Sequence, residues 1–399
     1  MIMKFSDNYK YFIATFLCFI SIFIFKLWES YPLYSNELFG DWKYIYNYFS
    51  CLGYLETKEI NCKSLLYYDF VYPQVWLKIL EISYPVFKIA IYLFIIFYFL
   101  ITFKFFNNSS KIYHFLFLFS PTSILLIQRG NNELVIFLLI FIFMKFFNSK
   151  KLKLLSLAPF LLSFLLKIYP LCLIIIYFCH DIKKINYIKI ITLTLSLIIF
   201  NFFISDYLDL KKNFEPNHGK VTLIYGANSI FYLTTLIIGK INFNYQYLSI
   251  VALIILTILS FKFKIKKLEK INSYNENSFL IGSTILVSSF FINASFEYRF
   301  IYIIFTLPFL FDLKEINQKK LIFYFILLIY LVLWFEFFIF YFKEIIDFQK
   351  DKILTEGILN FKVALLGFCI VLKNLMYWVI NFGLILLSKD IIFIKLNKV

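Results

Sequence analysis

The chain alternates between apolar runs of helical length and short polar segments. Two of these runs, Ile112–Ile127 and Leu134–Phe147, flank the polar segment Gln128–Glu133 and have lysines at their far ends. Lysines concentrate on the cytoplasmic side of membrane proteins, so the two runs are predicted to form an up-and-down helix pair. The polar segment is then their outer turn. The same arrangement recurs around Lys167–Pro170 and around Asn293–Arg299.

Lysine placement extends this interpretation to the whole chain. Lys4 and Lys10 precede the first run, which places the N-terminus in the cytoplasm, and a lysine-bearing tail places the C-terminus there too. Several runs are shorter than the about 20 residues that cross a bilayer. We predict an all-α fold, a polytopic transmembrane helical bundle with short helix pairs. Its roughly twelve membrane segments are Tyr11–Trp28, Val86–Phe103, Ile112–Ile127, Leu134–Phe147, Leu154–Leu166, Leu171–Phe178, Ile188–Ile204, Tyr247–Phe261, Phe279–Ile292, Phe300–Phe311, Leu321–Phe342 and Phe361–Leu387.

No separate soluble domain is expected, so residues 1–399 are predicted to form a single integral membrane domain. Residues 29–84 form a first extracytoplasmic loop, and residues 205–228 form a second. The first loop is predicted to contain a helix lying in the membrane interface, because its apolar residues recur at helical spacing. Residues 312–399 contain the C-terminal spans.

Composition and charge exclude several classes of protein. Of the 399 residues, 61% are hydrophobic and 16% are charged, which is atypical of a soluble protein of this size. The net charge of +16 comes from lysines in short loops. Attraction to anionic lipid explains such lysines better than nucleic-acid binding. The sequence has neither a glycine-rich phosphate loop with its lysine nor histidines at metal-ligand spacing.

The polar turns contain the candidate chemistry. Charged residues near the membrane surface are costly and are therefore functional candidates by default. Arg129, Lys167 and Arg299 are suited to binding a phosphate, through bidentate or point-charge contacts. If the three turns converge, they form a site for an anionic, lipid-linked ligand. The predicted lining residues are Gln128, Asn131, Asn132, Tyr169, Asn228 and Glu297. Asn228 could instead cap a helix, and Glu297 could instead pair with Arg299.

Seven short motifs follow one another along the chain, namely Gly40-Asp41, Val71-Tyr72-Pro73, Gln128-Arg129-Gly130-Asn131, Leu166-Lys167-Ile168-Tyr169-Pro170, Asn228-Ser229, Phe296-Glu297-Tyr298-Arg299 and Leu307-Pro308. In this order and spacing they resemble the motifs of polytopic GT-C-type glycosyltransferases, especially glycosyltransferase family 87. The resemblance covers about residues 35 to 310, and the last two spans add nothing to it.

The resemblance implies a membrane enzyme of the cell (inner) membrane with an extracytoplasmic active site. The donor would be a hexose, with mannose as the implied sugar, on a polyprenyl phosphate, and the acceptor a hydroxyl of a glycan, lipid or protein. Asp41 maps to the catalytic base of the family, and Glu37 and Asp69 are alternative bases. The resemblance implies no required cofactor, and it leaves open whether the enzyme uses a divalent cation.

The cysteines and isolated lysines suggest simpler roles. Cys51 and Cys62 both lie in the first extracytoplasmic loop, where an oxidising environment predicts a disulfide between them. Lys26, Lys88 and Lys373 stand alone in apolar stretches, which is typical of lysines that extend to the membrane surface.

Two alternative functions remain at this point. One is a transporter or flippase for an anionic lipid-linked substrate, whose binding charges would lie near the bilayer midplane. The other is a lipid-linked polysaccharide polymerase or ligase, which usually has a large late extracytoplasmic loop. Here that loop, Lys343–Asn360, is short.

Overall fold

A computed structural model of the chain describes residues 2–25, 47, 51, 84–106, 111–129, 133–149, 151–179, 187–213, 224–227, 245–264, 271–292, 295–317, 320–350 and 356–397. Within these ranges the backbone is helical apart from short turns and one pair of two-residue strands. The predicted helical fold class is therefore confirmed for the described part of the chain.

The first half of the chain contains α-helices of very different lengths, with two short 3-10 helices, η1 and η2, between them. In chain order the elements are α1 (Ile2–Ile24), α2 (Tyr84–Phe105), α3 (Lys111–Leu118), α4 (Pro121–Arg129), α5 (Glu133–Phe147), η1 (Leu154–Ser156), α6 (Leu157–Leu166), η2 (Tyr169–Leu173), α7 (Ile174–Cys179) and α8 (Tyr187–Asn213).

The second half contains the longest helices and the strand pair. Its elements are β1 (Ile224–Tyr225), α9 (Tyr245–Ser260), α10 (Ser273–Ile292), β2 (Ser295–Phe296), η3 (Glu297–Phe305), α11 (Leu307–Asn317), α12 (Lys320–Lys350) and α13 (Glu356–Asn397). The two strands pair antiparallel, with Ile224 opposite Phe296 and Tyr225 opposite Ser295.

Several element bounds differ from the sequence prediction. The run Ile112–Ile127 is divided into α3 and α4, because Pro121 disfavours a helical conformation at the residue before it and is well placed in a first helical turn. Helix α8 continues to Asn213, so the start of the predicted second external loop is helical. Helix α12 continues to Lys350, which shortens the loop before α13.

The chain divides into two compact units, which are described separately. The larger unit comprises Met1–Tyr34, Phe103–Leu125 and His218–Lys398. The smaller unit comprises Ser35–Thr102, Leu126–Asn217 and Val399. The prediction of one domain over the whole chain stays a prediction.

Two of the described helices are long and apolar enough to cross a membrane, namely Lys320–Ile339 within α12 and Leu365–Leu396 within α13. A third candidate span consists of Pro121–Gln128 and Glu133–Phe147 taken together as one bent segment. Shorter apolar helices occur in both units. Membrane association is therefore supported by length and composition.

Several helices expose an apolar face and bury polar side chains. In α9, Ile254 and Ile258 are 53% and 60% exposed, whereas Ser249 is fully buried. In α8, Leu197 is 58% exposed, whereas Thr192 is fully buried. A surface helix of a water-soluble protein has the opposite arrangement, with its apolar stripe toward the core. The exposed faces therefore favour an apolar environment.

The core of the smaller unit is aromatic. Helix α5 packs against η1 and α6, and its Phe143 and Phe147 lie 5.8 and 5.3 Å from the ring of Tyr177 in α7. The Tyr177 hydroxyl is within 2.6 Å of Ser156 Oγ, which satisfies both buried polar groups. Such a core fixes the start of α5 relative to the end of α6, where the predicted polar turns lie.

In the larger unit, α10 packs against η3 and α13, and α12 packs against α13. Tyr225 of β1 lies within this packing, with ring centroids 5.2 Å from Phe290, 5.7 Å from Phe300 and 4.8 Å from Tyr377. Its hydroxyl donates to the Leu286 carbonyl at 3.1 Å. These contacts fix the strand pair, and with it the start of η3.

Close helix packing at Gly282 provides a test of this fold. A Cβ at Gly282 would lie 2.8 Å from the Cβ of Phe305 and 2.9 Å from the Tyr302 carbonyl oxygen. Gly282→Ala is therefore expected to lower the free energy of unfolding by about 1–3 kcal/mol. Gly367 in α13 has nothing within 4 Å of a Cβ. Gly367→Ala is the control, expected to raise stability by about 0.5–1 kcal/mol through helix propensity.

Denaturant unfolding of both variants in one detergent measures the difference. Equal changes for Gly282→Ala and Gly367→Ala would contradict the close contact between α10 and η3.

Candidate functional site

The structure describes the side chains of five predicted site residues, namely Cys51, Gln128, Lys167, Tyr169 and Arg299. The side chains of the other predicted site residues lie outside the described ranges, and for Arg129 and Glu297 only the backbone is described. The residues concerned are Glu37, Asp41, Cys62, Asp69, Arg129, Asn131, Asn132, Asn228 and Glu297. Their predicted roles stay predictions.

Lys167 lies where α6 ends in the smaller unit. Its backbone is extended, with φ −156° and ψ 146°, and its N–H donates to the Ser163 carbonyl. The helix ends there because Pro170 follows, in the first turn of the next short helix, which begins at Tyr169. The extended conformation at Lys167 separates α6 from η2, and Lys167 lies in the short connection between these two helices.

The Lys167 ammonium donates to Glu133 Oε1 at 2.5 Å. The Tyr169 hydroxyl donates to the other carboxylate oxygen, Oε2. Glu133 is the first residue of α5 and its side chain is fully buried, whereas the Lys167 side chain is 12% exposed. Both oxygens of a buried carboxylate are thus satisfied, and its position in a first helical turn is electrostatically favourable. We call these three residues the Glu133 cluster.

The Glu133 cluster joins two of the three polar turns found in the sequence. Glu133 belongs to the segment Gln128–Glu133, and Lys167 and Tyr169 belong to the segment 34 residues further along the chain. Gln128, at the end of α4, is also fully buried. These two turns are therefore in contact within the smaller unit, while the predicted convergence of all three turns stays a prediction.

The contact with Glu133 changes the predicted electrostatics of Lys167. The Glu133–Lys167 pair is neutral as a whole, so the pair alone does not supply net positive charge for an anion. Arg129, the other cation predicted at this turn, is the predicted source of net positive charge for a phosphate there. Lys167 keeps some exposure and can add a hydrogen bond to a ligand that reaches it.

Glu133 belongs to a polar turn that the sequence marked as a functional candidate, but the predicted site residues did not include it. The signal in the sequence was a lone carboxylate as the first residue of a 15-residue helix of otherwise apolar character, with Lys145 in its last turn. Such a carboxylate is costly to bury unless a cation pairs with it. The identity of that cation depends on the tertiary packing of α5 against α6.

Arg299 lies in the larger unit, in η3 directly after β2, and its side chain is half-buried. Nearby, the Tyr225 hydroxyl also contacts Asn381 Oδ1 at 3.2 Å. Burial raises the pKa of Tyr225, so its hydroxyl stays protonated and acts as a donor. Because Arg299 and Lys167 belong to different units, the convergence of the third polar turn stays a prediction.

A second buried ion pair was not predicted. The Lys373 ammonium in α13 donates to Glu336 Oε1 in α12, and the two side chains are 0% and 5% exposed. The interpretation of Lys373 as a lysine that extends to the membrane surface is therefore wrong. An acid on the facing helix provides a buried partner. The side chains of Lys26 and Lys88 lie outside the described set.

The described residues include one disulfide-bonded cysteine and no candidate metal site. Cys51 is disulfide-bonded, but Cys62 lies outside the described ranges, so the pairing of these two cysteines stays a prediction. Among the described residues, no group of three His, Cys, Asp or Glu side chains is arranged to hold a metal ion.

Comparison of the chain with protein-family models, with curated proteins and with solved structures gives no match.

Proposed function

We propose that the chain is an integral membrane hexosyltransferase of the GT-C type, with mannose as the first donor sugar to test. The donor is a polyprenyl-phosphate-linked hexose, and the acceptor is a hydroxyl of a glycan, lipid or protein. The protein is multi-pass in the cell membrane, with both termini cytoplasmic and the active site extracytoplasmic. It requires no organic cofactor.

The observation that carries this proposal is the Glu133 cluster. It brings together two polar turns that the sequence predicts at one site, inside a unit built of apolar helices. Buried charges are costly, so their retention in a polar segment whose sequence also contains Gln128 and Arg129 favours a functional site. The ordered motifs of the GT-C resemblance include both turns.

The exposed apolar faces support the multi-pass arrangement. Exposed apolar side chains and buried polar ones occur in α8, α9, α12 and α13, so short as well as long helices are suited to contact lipid. Helices shorter than a full span can be accommodated where the polar backbone ends lie within the protein. Roughly twelve segments remain consistent with these helices.

The proposed reaction is a substitution at the anomeric carbon of the hexose. The acceptor oxygen attacks the anomeric carbon, and the bond between this carbon and the phosphate oxygen breaks. The polyprenyl phosphate leaves with the bonding electrons. Asp41 takes the acceptor proton as general base. Arg129 stabilises the charge on the departing phosphate, and Lys167 donates one hydrogen bond to it. The Glu133 carboxylate positions the Lys167 ammonium.

Sugar transfer by purified protein in lipid tests the proposal. Wild type is expected to transfer label from polyprenyl-phosphate mannose or glucose to a mixed glycan acceptor. Asp41→Asn is expected to reduce transfer by about 100-fold or more, because the general base is lost. Glu37→Gln and Asp69→Asn are the matched controls and should retain most activity.

Each outcome of this assay either identifies the general base or contradicts the proposed glycosyltransferase activity. If Asp41→Asn transfers sugar as wild type does and Glu37→Gln or Asp69→Asn loses transfer, the residue replaced in the inactive variant is the general base. Transfer from neither donor by the wild type, at any acceptor tried, would contradict the glycosyltransferase proposal.

A specific observation favours a second candidate, a transporter or flippase for an anionic lipid-linked substrate. The Glu336–Lys373 pair is buried between the two helices that are long enough to cross a membrane. Ionisable residues within membrane spans often mark substrate or proton pathways. Reconstituted vesicles distinguish the candidates, since a flippase moves labelled polyprenyl phosphate between leaflets without any sugar acceptor and loses this activity in Glu336→Gln.

A further inference from the structure

Three tyrosines and a histidine from α1, α3 and α12 lie together in the larger unit. The Tyr11 hydroxyl donates to the Lys111 carbonyl at 2.8 Å and lies 3.0 Å from His114 Nδ1. Since Tyr11 gives its proton to the carbonyl, Nδ1–H of His114 is the donor in the second contact. His114 is fully buried. The cluster is therefore ordered by hydrogen bonds between α1 and α3.

Tyr330 of α12 completes the group. Its ring centroid lies 5.2 Å from that of Tyr113. Tyr330 is 5% exposed, and its hydroxyl oxygen has no hydrogen-bond partner in the described part of the chain. A buried hydroxyl without a partner costs stability. A ligand that accepts a hydrogen bond from Tyr330 would remove this cost.

Two lysines lie over the rings of the same group. The Lys111 ammonium is 5.3 Å from the centre of the Tyr11 ring, and the Lys314 ammonium is 6.0 Å from that of Tyr113. Among the described residues, neither ammonium has a carboxylate within ion-pair distance. Within the described part of the chain, the group therefore combines two positive charges that have no carboxylate partner with the Tyr330 hydroxyl as a donor. This combination matches the oxygen atoms of a phosphate.

The lysines also indicate where the ligand would lie. Lys111 and Lys314 both fall in segments that the sequence predicts to be cytoplasmic. The cytoplasmic leaflet carries anionic lipids, which attract lysines near the membrane surface. The phosphate of such a lipid would lie at the level of these two ammonium groups.

We infer that Lys111, Lys314, Tyr113 and Tyr330 form a binding site for the phosphate group of an anionic lipid in the cytoplasmic leaflet. The site rests on the membrane placement in the proposed function and is independent of sugar transfer. The lysines provide the charge, and the Tyr330 hydroxyl donates a hydrogen bond to a phosphate oxygen. Free phosphate shares this chemistry and is the other source of the ligand.

Lipid titration of the delipidated full-length protein in neutral detergent, followed by native mass spectrometry, tests the site. The probes are phosphatidylglycerol, zwitterionic phosphatidylcholine and inorganic phosphate. Tyr330→Phe is expected to weaken phosphatidylglycerol binding about three- to tenfold, the effect of one lost hydrogen bond. Lys314→Met is expected to weaken it about tenfold. Tyr324→Phe and Lys320→Met, at exposed positions of α12, are matched controls that should bind as wild type does.

A second readout separates binding from folding. In the delipidated protein, Tyr330→Phe should be at least as stable as wild type, because it removes an unsatisfied hydroxyl and keeps the ring. Lower stability of the delipidated variant would show a protein partner for this hydroxyl and overturn the site. Unchanged phosphatidylglycerol binding in both Tyr330→Phe and Lys314→Met would also overturn it.

The remaining outcome concerns the source of the phosphate. Variant-sensitive binding of inorganic phosphate without phosphatidylglycerol binding would overturn the lipid assignment and leave a free-phosphate site. Because none of these measurements uses a sugar donor, a failure of sugar transfer would leave their result unaffected.

Discussion

Replacing Lys373 with methionine should lower the free energy of unfolding by about 3–5 kcal/mol. The substitution leaves the Glu336 carboxylate buried between α12 and α13 without its cation. A buried charge without a partner costs far more than an intact pair contributes. Glu336→Gln should be less damaging, because a neutral amide can still accept a hydrogen bond from the Lys373 ammonium. Unfolding in a single detergent measures both.

The double variant Glu336→Leu/Lys373→Met separates the cost of an unpaired charge from the value of the pair. Replacing both partners with apolar side chains should restore stability to near the wild-type value, since burying an ion pair contributes little net stability. Lys320→Met, at an exposed position of α12, is the control and should change stability by less than about 0.5 kcal/mol. A single variant as stable as the control would contradict the burial of the pair.

Replacing Glu133 with glutamine should have opposite effects on stability and ligand binding. Stability should fall by about 3 kcal/mol, because the Lys167 ammonium loses the carboxylate that compensates it. At the same time, polyprenyl phosphate should bind up to about tenfold more tightly, because the positive charge of Lys167 is no longer cancelled. Lys167→Met should weaken the same binding. Binding of the labelled lipid phosphate and unfolding are measured on the same preparations.

Tyr169→Phe provides a graded comparison for this prediction. It removes one hydrogen bond to the Glu133 carboxylate and keeps the charge of every group, so it should cost about 1.5–3 kcal/mol. Lipid-phosphate binding should change little. If Glu133→Gln and Lys167→Met both left this binding unchanged, Lys167 would be a structural partner of Glu133 and not a ligand of the donor phosphate.

The helical fold was predictable from the sequence because apolar runs and lysines recur along it. The runs Leu134–Phe147 and Leu154–Leu166 correspond closely to α5 and to η1 with α6. The division at Pro121 was also available from the local sequence, although the prediction treated the run as continuous. Local patterns determine these features, so a single sequence is sufficient for them.

The charge partners were not predictable in the same way. Lys167 was singled out from its motif, but its contact with Glu133 depends on how α5 packs against α6. Lys373 and Glu336 are 37 residues apart, and their pairing depends on the relative register of two long helices. Neither register nor packing is encoded in a local pattern. The role of Asp41 rests on the motif resemblance alone.

In the proposed multi-pass arrangement, the exposed apolar faces of α8 and α9 have a consequence for how this sequence can change over evolutionary time. Side chains that face a liquid hydrocarbon have no fixed neighbours to fit, so leucine, isoleucine and phenylalanine can replace one another there at little cost. The buried serine, threonine and charged positions lack this freedom, because each needs a specific partner. Descendants of this protein should therefore diverge fastest at the exposed apolar positions of these helices. The buried polar positions should change most slowly.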